Sequence, residues 1–571
     1  MNWHDDYFQR VRPVVGDLFR SRRVALWGLR EGYLAATALA QSGIFHIHGF
    51  DDASPLAPGD GILRSLGDVH IGRSPADALE AHLRGHNSFE GAWELAWHPQ
   101  DIDVLRRILK EDPPHLLLAT LDHDAPQVLR TAIDQNVPTL FAWHPARGAF
   151  ASLHALWHPD AKVDVDALMA LVEDLATRPQ LDTSGGPGEH INALEGRSLG
   201  LSLARWILAP DRPPRPDLAR PLLDEGRSVM LRGDATWPWS VRFAAPSPQI
   251  AALAHGARPP YHAPHAFLGH ETVLILGLGT ASLFCAEAQL LGKRLVLLDS
   301  KEVSAFNPVR QIFSTTDIGV PKGRALADRL VARSAPGIAW QRRDPDAHLE
   351  AITDGEREIL YGDLFLSLRS RGSLARFRKI LDATRPTLAI VAMGRSKDDN
   401  FLATAELRRR GIRHITPTAF PGVSHFKHII TDGDVGPCYD CLQGHLAIDG
   451  GVGPTLQPAE REIFYGGTQP ATLAETLPSA HSLLRIAADL SLPKAARPPY
   501  LRRELAAERN CFVGANRVEH HSGGWLYGVE HPFAMVSFGI DDIVGSRAGE
   551  RCSCGRLNVP SSPDGSRIMD R

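Results

Sequence analysis

The sequence predicts an α/β chain made of two tandem Rossmann-like domains, and three observations carry that prediction. A strand, a glycine turn and a helix follow one another at Arg22 to Ala40 (RRVALWGLREGYLAATALA) and again at Glu271 to Leu291 (ETVLILGLGTASLFCAEAQLL). Short apolar runs that stop at glycine and resume with helical periodicity open α/β units. Later in each half comes a further apolar strand, a helix and another strand: HLLLAT with VPTLFAW, and TLAIVAM with IRHITPTAF. Finally, at 571 residues the chain exceeds the size at which one core keeps growing.

The correspondence runs to the ends of the halves. GRSLGLSLARWILAPDRPPRPDL precedes RSVMLRGDATWPWSVRF, as SAHSLLRIAADLSLPKAARPPYL precedes RNCFVGANRVEHHSGGWLYGV. Matching parts in matching order indicate a tandem duplication. TSGGPGE and APDRPPRP are loops within the first copy, and the His-rich run from Ala254 to His270 is the joint. The expected domains are residues 1–255 and 256–571.

Composition bounds the function. With 43% hydrophobic residues, 22% charged residues and a mean hydropathy of -0.16, the chain has an ordinary globular composition. A formal net charge of -4 gives no global basic field that would attract nucleic acid. Neither an apolar run of membrane-spanning length nor an apolar leader stands in the sequence, since it opens MNWHDDYFQR, so a cytoplasmic protein without a membrane partner is expected.

The second glycine turn is the stronger nucleotide candidate. Gly277, Gly279, Ala281 and Ser282 stand where strand gives way to helix, so a phosphate chain can approach the backbone and meet the helix N-terminus. The third glycine of the dinucleotide fingerprint is missing, and such turns also occur without ligands. The strand RLVLLD then ends at Asp299, placed to accept hydrogen bonds from a ribose. Asn307, Arg310 and Gln311 follow in NPVRQ and Lys322 in IGVPKGRA, supplying cationic donors for a triphosphate.

GLGTAS, LLD, NPVRQ and DIGVPKG, in this order and spacing, resemble the ThiF/MoeB and ubiquitin-activating enzyme family, strongly in the second half and weakly in the first. The resemblance implies two ThiF-type domains forming an intramolecular pseudo-dimer, with ATP held by Gly277, Gly279, Asp299, Asn307, Arg310, Gln311 and Lys322. Lys301 stands where the family usually has a second acid. The family also places an aspartate after the next core strand to hold Mg2+, and TLAIVAMGRSKDDNF offers Asp398 and Asp399, of which Asp399 precedes Asn400 as in the commoner family form. The plain alternative for adjacent acids opening a helix is N-capping and a favourable dipole interaction.

In the first copy the turn reads WGLREGYL, with Arg30 and Glu31 where phosphate would need room, and neither the NxxRQ string nor the Pro-Lys pair follows. This half resembles the inactive repeat of activating enzymes. Its opening, DYFQRVRPVVGDLF, resembles the family's RYxRQ, which makes Arg10, with Arg12 as fallback, the arginine that reaches the partner site's phosphates. A solvated arginine on an N-terminal helix is the alternative.

Cys438 and Cys441 in PCYDC, with Cys552 and Cys554 in RCSCG, form two close pairs. In a reducing compartment four such thiolates read as a closed, structural Zn2+ site, and the family carries zinc away from its nucleotide. Cys285 falls on the apolar face of the helix after the glycine turn. Cys511 remains as a candidate thioester nucleophile: the duplication sets it opposite Val229 in a strand, which favours burial, whereas Arg509, Arg517, His520 and His521 nearby could lower a thiol pKa.

The expected chemistry is attack by a carboxylate on the α-phosphate of ATP, with Arg310, Lys322, Mg2+ and Arg10 neutralising charge and pyrophosphate leaving. The resemblance extends to activating enzymes of bacterial ubiquitin-like conjugation operons, which take part in anti-phage defence. It implies a ubiquitin-like protein as substrate, with a ubiquitin-conjugating-enzyme-like protein and a deconjugating peptidase as partners. Competing readings are adenylation of a sulfur-carrier protein or peptide C-terminus in biosynthesis, a non-catalytic Rossmann-like scaffold that consumes no ATP, and a NAD-binding oxidoreductase, which has no use for Arg310 and Lys322. The internal pair already supplies a pseudo-dimer, so further self-association is optional.

Overall fold

The computed structural model describes residues 21–58, 60, 62–86, 94–144, 149–180, 187–208, 218, 220–256, 272–279, 281–288, 294–332, 341–343, 349–353, 358–362, 368–393, 397–419, 425–433, 438–439, 472–515 and 533–539. Within them the chain forms two mixed sheets with helices on their faces.

The first sheet holds β1 (Arg23–Trp27), β2 (His46–Asp51), β3 (Glu94–Pro99), β4 (Leu116–Thr120), β5 (Thr139–Trp143), β6 (Ser152–Trp157), β7 (Val229–Arg232) and β8 (Val241–Ala244). Its order is β3-β2-β1-β4-β5-β6-β7-β8, parallel as far as β5 and antiparallel beyond. The parallel part is the doubly wound arrangement, whose strand order reverses between β1 and β4.

The second sheet holds β9 (Thr272–Leu276), β10 (Arg294–Leu298), β11 (Gln341–Arg343), β12 (Glu350–Thr353), β13 (Glu358–Gly362), β14 (Leu388–Val391), β15 (Arg413–Ala419), β16 (His425–Thr431), β17 (Cys511–Ala515) and β18 (Met535–Phe538). Its order, β11-β12-β13-β10-β9-β14-β15-β16-β17-β18, repeats the first sheet strand for strand and adds the antiparallel hairpin β11–β12 at one edge. The duplication is therefore a duplication of topology. Continuous apolar runs such as TVLIL and RLVLL form these strands because helices cover the parallel part on both faces.

Helices of eight residues or more are α1 (Leu29–Gln41), α2 (Pro75–His86), α3 (Ile102–Glu111), α4 (Ala125–Asp134), α5 (Val165–Ala176), α6 (Pro187–Leu208), α7 (Ala281–Ala288), α8 (Lys322–Ala332), α9 (Arg371–Thr384), α10 (Lys397–Arg409), α11 (Leu473–Ser491) and α12 (Pro499–Ala506). None of the described helices is long and apolar enough to cross a membrane.

The two copies share one core. Leu199, Leu203 and Trp206 of α6 belong to the same apolar cluster as Leu473, Leu484 and Ala487 of α11. The helices cross antiparallel, with buried ion pairs of Arg205 with Glu475 and of Arg485 with Glu195 toward opposite ends. The Glu195 carboxylate also accepts from the Trp239 indole at 2.9 Å and faces Arg232 at 3.1 Å. Burial pushes its pKa up, but Arg232 and Arg485 outweigh that and leave it below the usual carboxylate value. The loop after β7 completes the joint: the Trp237 indole donates to the Met535 carbonyl at 2.7 Å and stacks on Phe512. β8 closes the first sheet and β9 opens the second at Thr272, on either side of the proposed boundary.

Candidate nucleotide site

At the carboxyl end of β9 the chain turns through Gly277, whose φ of +85° favours glycine, and a Cβ there would lie 2.2 Å from the Ala392 carbonyl oxygen. This presses the turn against the strand-end of β14. Gly279 differs: a Cβ on it would meet only the Gln311 amide nitrogen, at 3.9 Å, so the turn keeps an open side toward Gln311. α7 begins just beyond, at Ala281, with its N-terminal amides at the same edge.

Asp299 follows β10 and ties the site together. Its carboxylate accepts from the Leu278 amide at 2.6 Å, fixing the glycine turn, and from the Lys301 amide at 2.8 Å. Lys301 then receives the Lys322 amide at its own carbonyl, 3.0 Å away, which sets Lys322 at the start of α8. A single acid at the strand end thus organises both the turn and the lysine.

NPVRQ forms a helical turn in which the Asn307 carbonyl accepts from the Arg310 and Gln311 amides at 3.1 and 2.9 Å. The Asn307 side chain is turned back to accept from the Ser304 amide at 2.8 Å and the Ser304 hydroxyl at 3.2 Å, so Asn307 shapes the loop. Gln311 is buried and accepts from the Lys322 ammonium at 3.4 Å, and that ammonium lies 5.7 Å from the centre of the Phe313 ring.

Lys322 is 6% exposed. Burial lowers its pKa, Asp299 opposes the shift, and Lys301 and Arg310 add to it. Two cations therefore repel across the site, a state that an arriving polyanion relieves. Arg310 is half-buried, and its carbonyl accepts from the Thr476 hydroxyl at 3.3 Å, which attaches α11 to the site.

Asp399 lies in the first turn of α10, buried at the same carboxyl edge, where the neighbouring Asn400 accepts from the Met393 amide just past β14. Its carboxylate accepts from the Leu368 amide at 2.7 Å, so it braces the start of the segment leading into α9. A hard, strongly hydrated cation such as Mg2+ binds through one or two carboxylates and the substrate phosphates, and one carboxylate in this position fits that chemistry. The Asp398 side chain lies outside the described residues.

Sequence reasoning missed two participants, Phe313 beneath the lysine and Thr476 on the arginine carbonyl. Neither belongs to a motif. The other predicted residues fall elsewhere: Arg10, Cys441, Cys552 and Cys554 lie outside the described residues, and Cys438 is buried beside Tyr439.

Cys511, the candidate nucleophile, is buried in the sheet. It is 0% exposed, begins β17, pairs with Ile429 and Phe538, and packs with Tyr439, Val513 and Ala515. β17 is four strands from β9, roughly 19 Å across the sheet. A thiol enclosed between two strands contributes to packing. It occupies the position that Val229 holds at the start of β7.

The first copy keeps the turn and loses the room. Gly28 has φ +86°, and its amide donates to the Phe50 carbonyl as the Gly277 amide donates to that of Leu298. Arg30, aligned with Gly279, extends to Asp60 at 2.6 Å and to the Ser54 carbonyl at 3.0 Å. Its guanidinium lies over the loop that follows β2, where a phosphate chain would run.

No known protein family and no curated protein matches this chain. Among solved structures, E. coli MccB with MccA-N7isoASN is similar over 70% of this chain and 96% of that one, at 12% identity and a TM-score of 0.31. E. coli MccB with ATP is similar over 70% and 97%, at 13% identity and a TM-score of 0.30. PaaA is similar over 43% and 70%, at 17% identity and a TM-score of 0.28. Scores this low superimpose only part of the chain, and the functional reading rests on its own residues.

Proposed function

We propose that the chain adenylates the C-terminal carboxylate of a peptide or small protein, using ATP bound at the second copy's glycine turn. The observation that carries this reading is the buried, cation-crowded cradle in which Lys322 and Arg310 stand beside Gln311, over a turn held by Asp299. An oxidoreductase has no use for a buried lysine and a half-buried arginine there, because a dinucleotide pyrophosphate is met mainly by backbone amides and a helix end. A scaffold would not retain a charged lysine at the desolvation penalty that its burial implies.

In this reading Arg310 and Lys322 hold the phosphates, Asp299 and the turn orient the ribose and α-phosphate, and Asp399 holds Mg2+. Magnesium would supply charge neutralisation between phosphate oxygens. Arg10 approaches from the first copy, and Cys438, Cys441, Cys552 and Cys554 hold a structural Zn2+. The substrate is a ubiquitin-like protein passed to a conjugating-enzyme-like partner within bacterial anti-phage defence, a reading supported by the motif order GLGTAS, LLD, NPVRQ, DIGVPKG.

The test is ATP/pyrophosphate exchange with ubiquitin-like proteins encoded near this gene. Exchange should depend on the modifier's C-terminal carboxylate and fall about 100- to 1,000-fold in Arg310→Ala, as loss of one preorganised phosphate donor does. Exchange unchanged in that variant removes the site; exchange supported by short peptides but by no ubiquitin-like protein redirects the substrate.

A further inference from the structure

Helix α11 is shared between the two copies. It runs antiparallel against α6 of the first, packs on α7, which follows the second copy's glycine turn, and at its own first turn reaches NPVRQ. α7 and NPVRQ both bring phosphate-binding groups to the candidate site, so whatever holds the first turn of α11 bears on them.

The first copy holds that turn through two side chains of α6. The Ser202 hydroxyl donates across the joint to the Ala474 carbonyl at 3.2 Å and lies 3.1 Å from the Ser198 carbonyl of its own helix. Arg205 pairs with Oε1 of Glu475, and both residues are buried. The other oxygen of Glu475 accepts from the Thr472 amide at 2.7 Å and from the Thr472 hydroxyl, as in a capping box at the start of α11. One carboxylate thus caps the helix with one oxygen and grips the first copy with the other.

Thr476, the next residue, faces the site. Its hydroxyl lies 3.3 Å from the Arg310 carbonyl and shares its hydrogen with the Thr472 and Leu473 carbonyls, at 3.3 and 3.1 Å. Arg310 closes the turn that Asn307 begins, and Gln311 after it accepts from the Lys322 ammonium. The register of the duplication, Gly196 with Ser479, sets Ala193 opposite Thr476, and the first copy has no NxxRQ string. The hydroxyl stands in the copy that has an arginine turn to hold.

We infer that Ser202 and Arg205 are positioning residues for adenylation: by fixing the first turn of α11 they keep Thr476 on the Arg310 carbonyl, and so keep the arginine in place for the phosphates. The inference rests on the assignment of ATP to the second copy's glycine turn. Two side chains of the first copy then strengthen nucleotide binding without touching the nucleotide.

The experiment measures Mg·ATP affinity of the full chain by isothermal titration and, without nucleotide, the hydrogen exchange of amides in residues 305–313. Thr476→Val, which keeps the shape, should weaken ATP about three- to tenfold, the range set by one ordinary hydrogen bond, and Thr476→Ser should restore it. Ser202→Ala should weaken ATP about two- to fivefold. The Ser202→Ala/Thr476→Val double variant should bind no more weakly than Thr476→Val alone, because the loss at α6 reaches the site through that hydroxyl. Exchange at the Arg310 and Gln311 amides should quicken in each weakened variant. Arg205→Gln should weaken ATP at least as much as Ser202→Ala; should it fail to fold, the Ser202–Thr476 cycle decides. A merely structural contact would lower the urea midpoint and leave the affinity of the folded chain unchanged. ATP affinity untouched in Thr476→Val, losses that multiply in the double variant, or no rescue by Thr476→Ser overturns this inference alone, provided that Arg310→Ala abolishes binding. Wild-type chain that fails to bind Mg·ATP, or Arg310→Ala that binds it normally, overturns the nucleotide assignment and this inference with it.

Discussion

At Lys322, burial beside Arg310 and Lys301 has lowered the ammonium's pKa, and a triphosphate settling over the same cations would raise it again. The sign of the pH dependence follows. ATP binding is at full strength while the free protein's Lys322 is protonated, and it weakens as pH rises through that depressed pKa toward the raised pKa of the complex. Affinity should therefore decline at lower pH than an ordinary lysine, near 10.4, would allow. Isothermal titration between about pH 7 and pH 10 measures this, with Lys322→Arg expected to flatten the curve because arginine stays charged throughout. A wild-type curve as flat as the variant's would separate Lys322 from the phosphates. Cys511 belongs to the same scale: Cys511→Ala should leave pyrophosphate exchange at wild-type rate and cost about 1 kcal/mol of stability or more from the cavity left in the β16–β18 packing, read by urea unfolding.

Among the elements, the glycine turn makes the sharpest demand on sequence. Gly277→Ala places a methyl 2.2 Å from the Ala392 carbonyl oxygen in a left-handed conformation, so β9 and β14 must separate or the turn must move. Strain of this kind costs about 1–3 kcal/mol, and a lower melting temperature with ATP binding lost out of proportion to it is the expected result. Stability and binding both unchanged would show the turn to be slack. The turn was legible beforehand, as were β1, β4, β5, β9, β10, β14 and β15, because strands covered on both faces read as largely apolar runs, whereas β2 and β3, HIHGFD and ELAWHP, carry no such run. β11 and β12 were not: QRR and EAIT are short, polar and at an edge, with no periodic signal to find. Asp299 reads from sequence as a strand-end acceptor for a ribose, and its grip on the Leu278 amide has no sequence signal. The strand position of Cys511 opposite Val229 already pointed to burial, and the structure favours that over the pull of its basic neighbours.

For the whole molecule, the decisive feature is that the duplicated halves are joined by buried charge as well as by leucine. Glu195 of the first copy answers Arg485 of the second and Arg232 of its own sheet, and all three are buried. An ion pair in such a place adds little net stability compared with an apolar substitute, yet removing one member strands the others without water. Glu195→Gln leaves two guanidinium groups facing a neutral amide and should destabilise the chain by about 3–5 kcal/mol. Because α11 also reaches the Arg310 carbonyl through Thr476, the loss should not stay at the interface. Native-state hydrogen exchange would read this directly. In the wild type, amides of β1 and β9 should open in one cooperative event, since both strands contribute to a single apolar cluster; in Glu195→Gln the two sheets should open separately, and ATP affinity should drop even though no residue touching the nucleotide has changed. Unaltered exchange with unaltered affinity would mean that the first copy is only attached to the second, and that the leucine packing between α6 and α11 suffices to hold the site in shape.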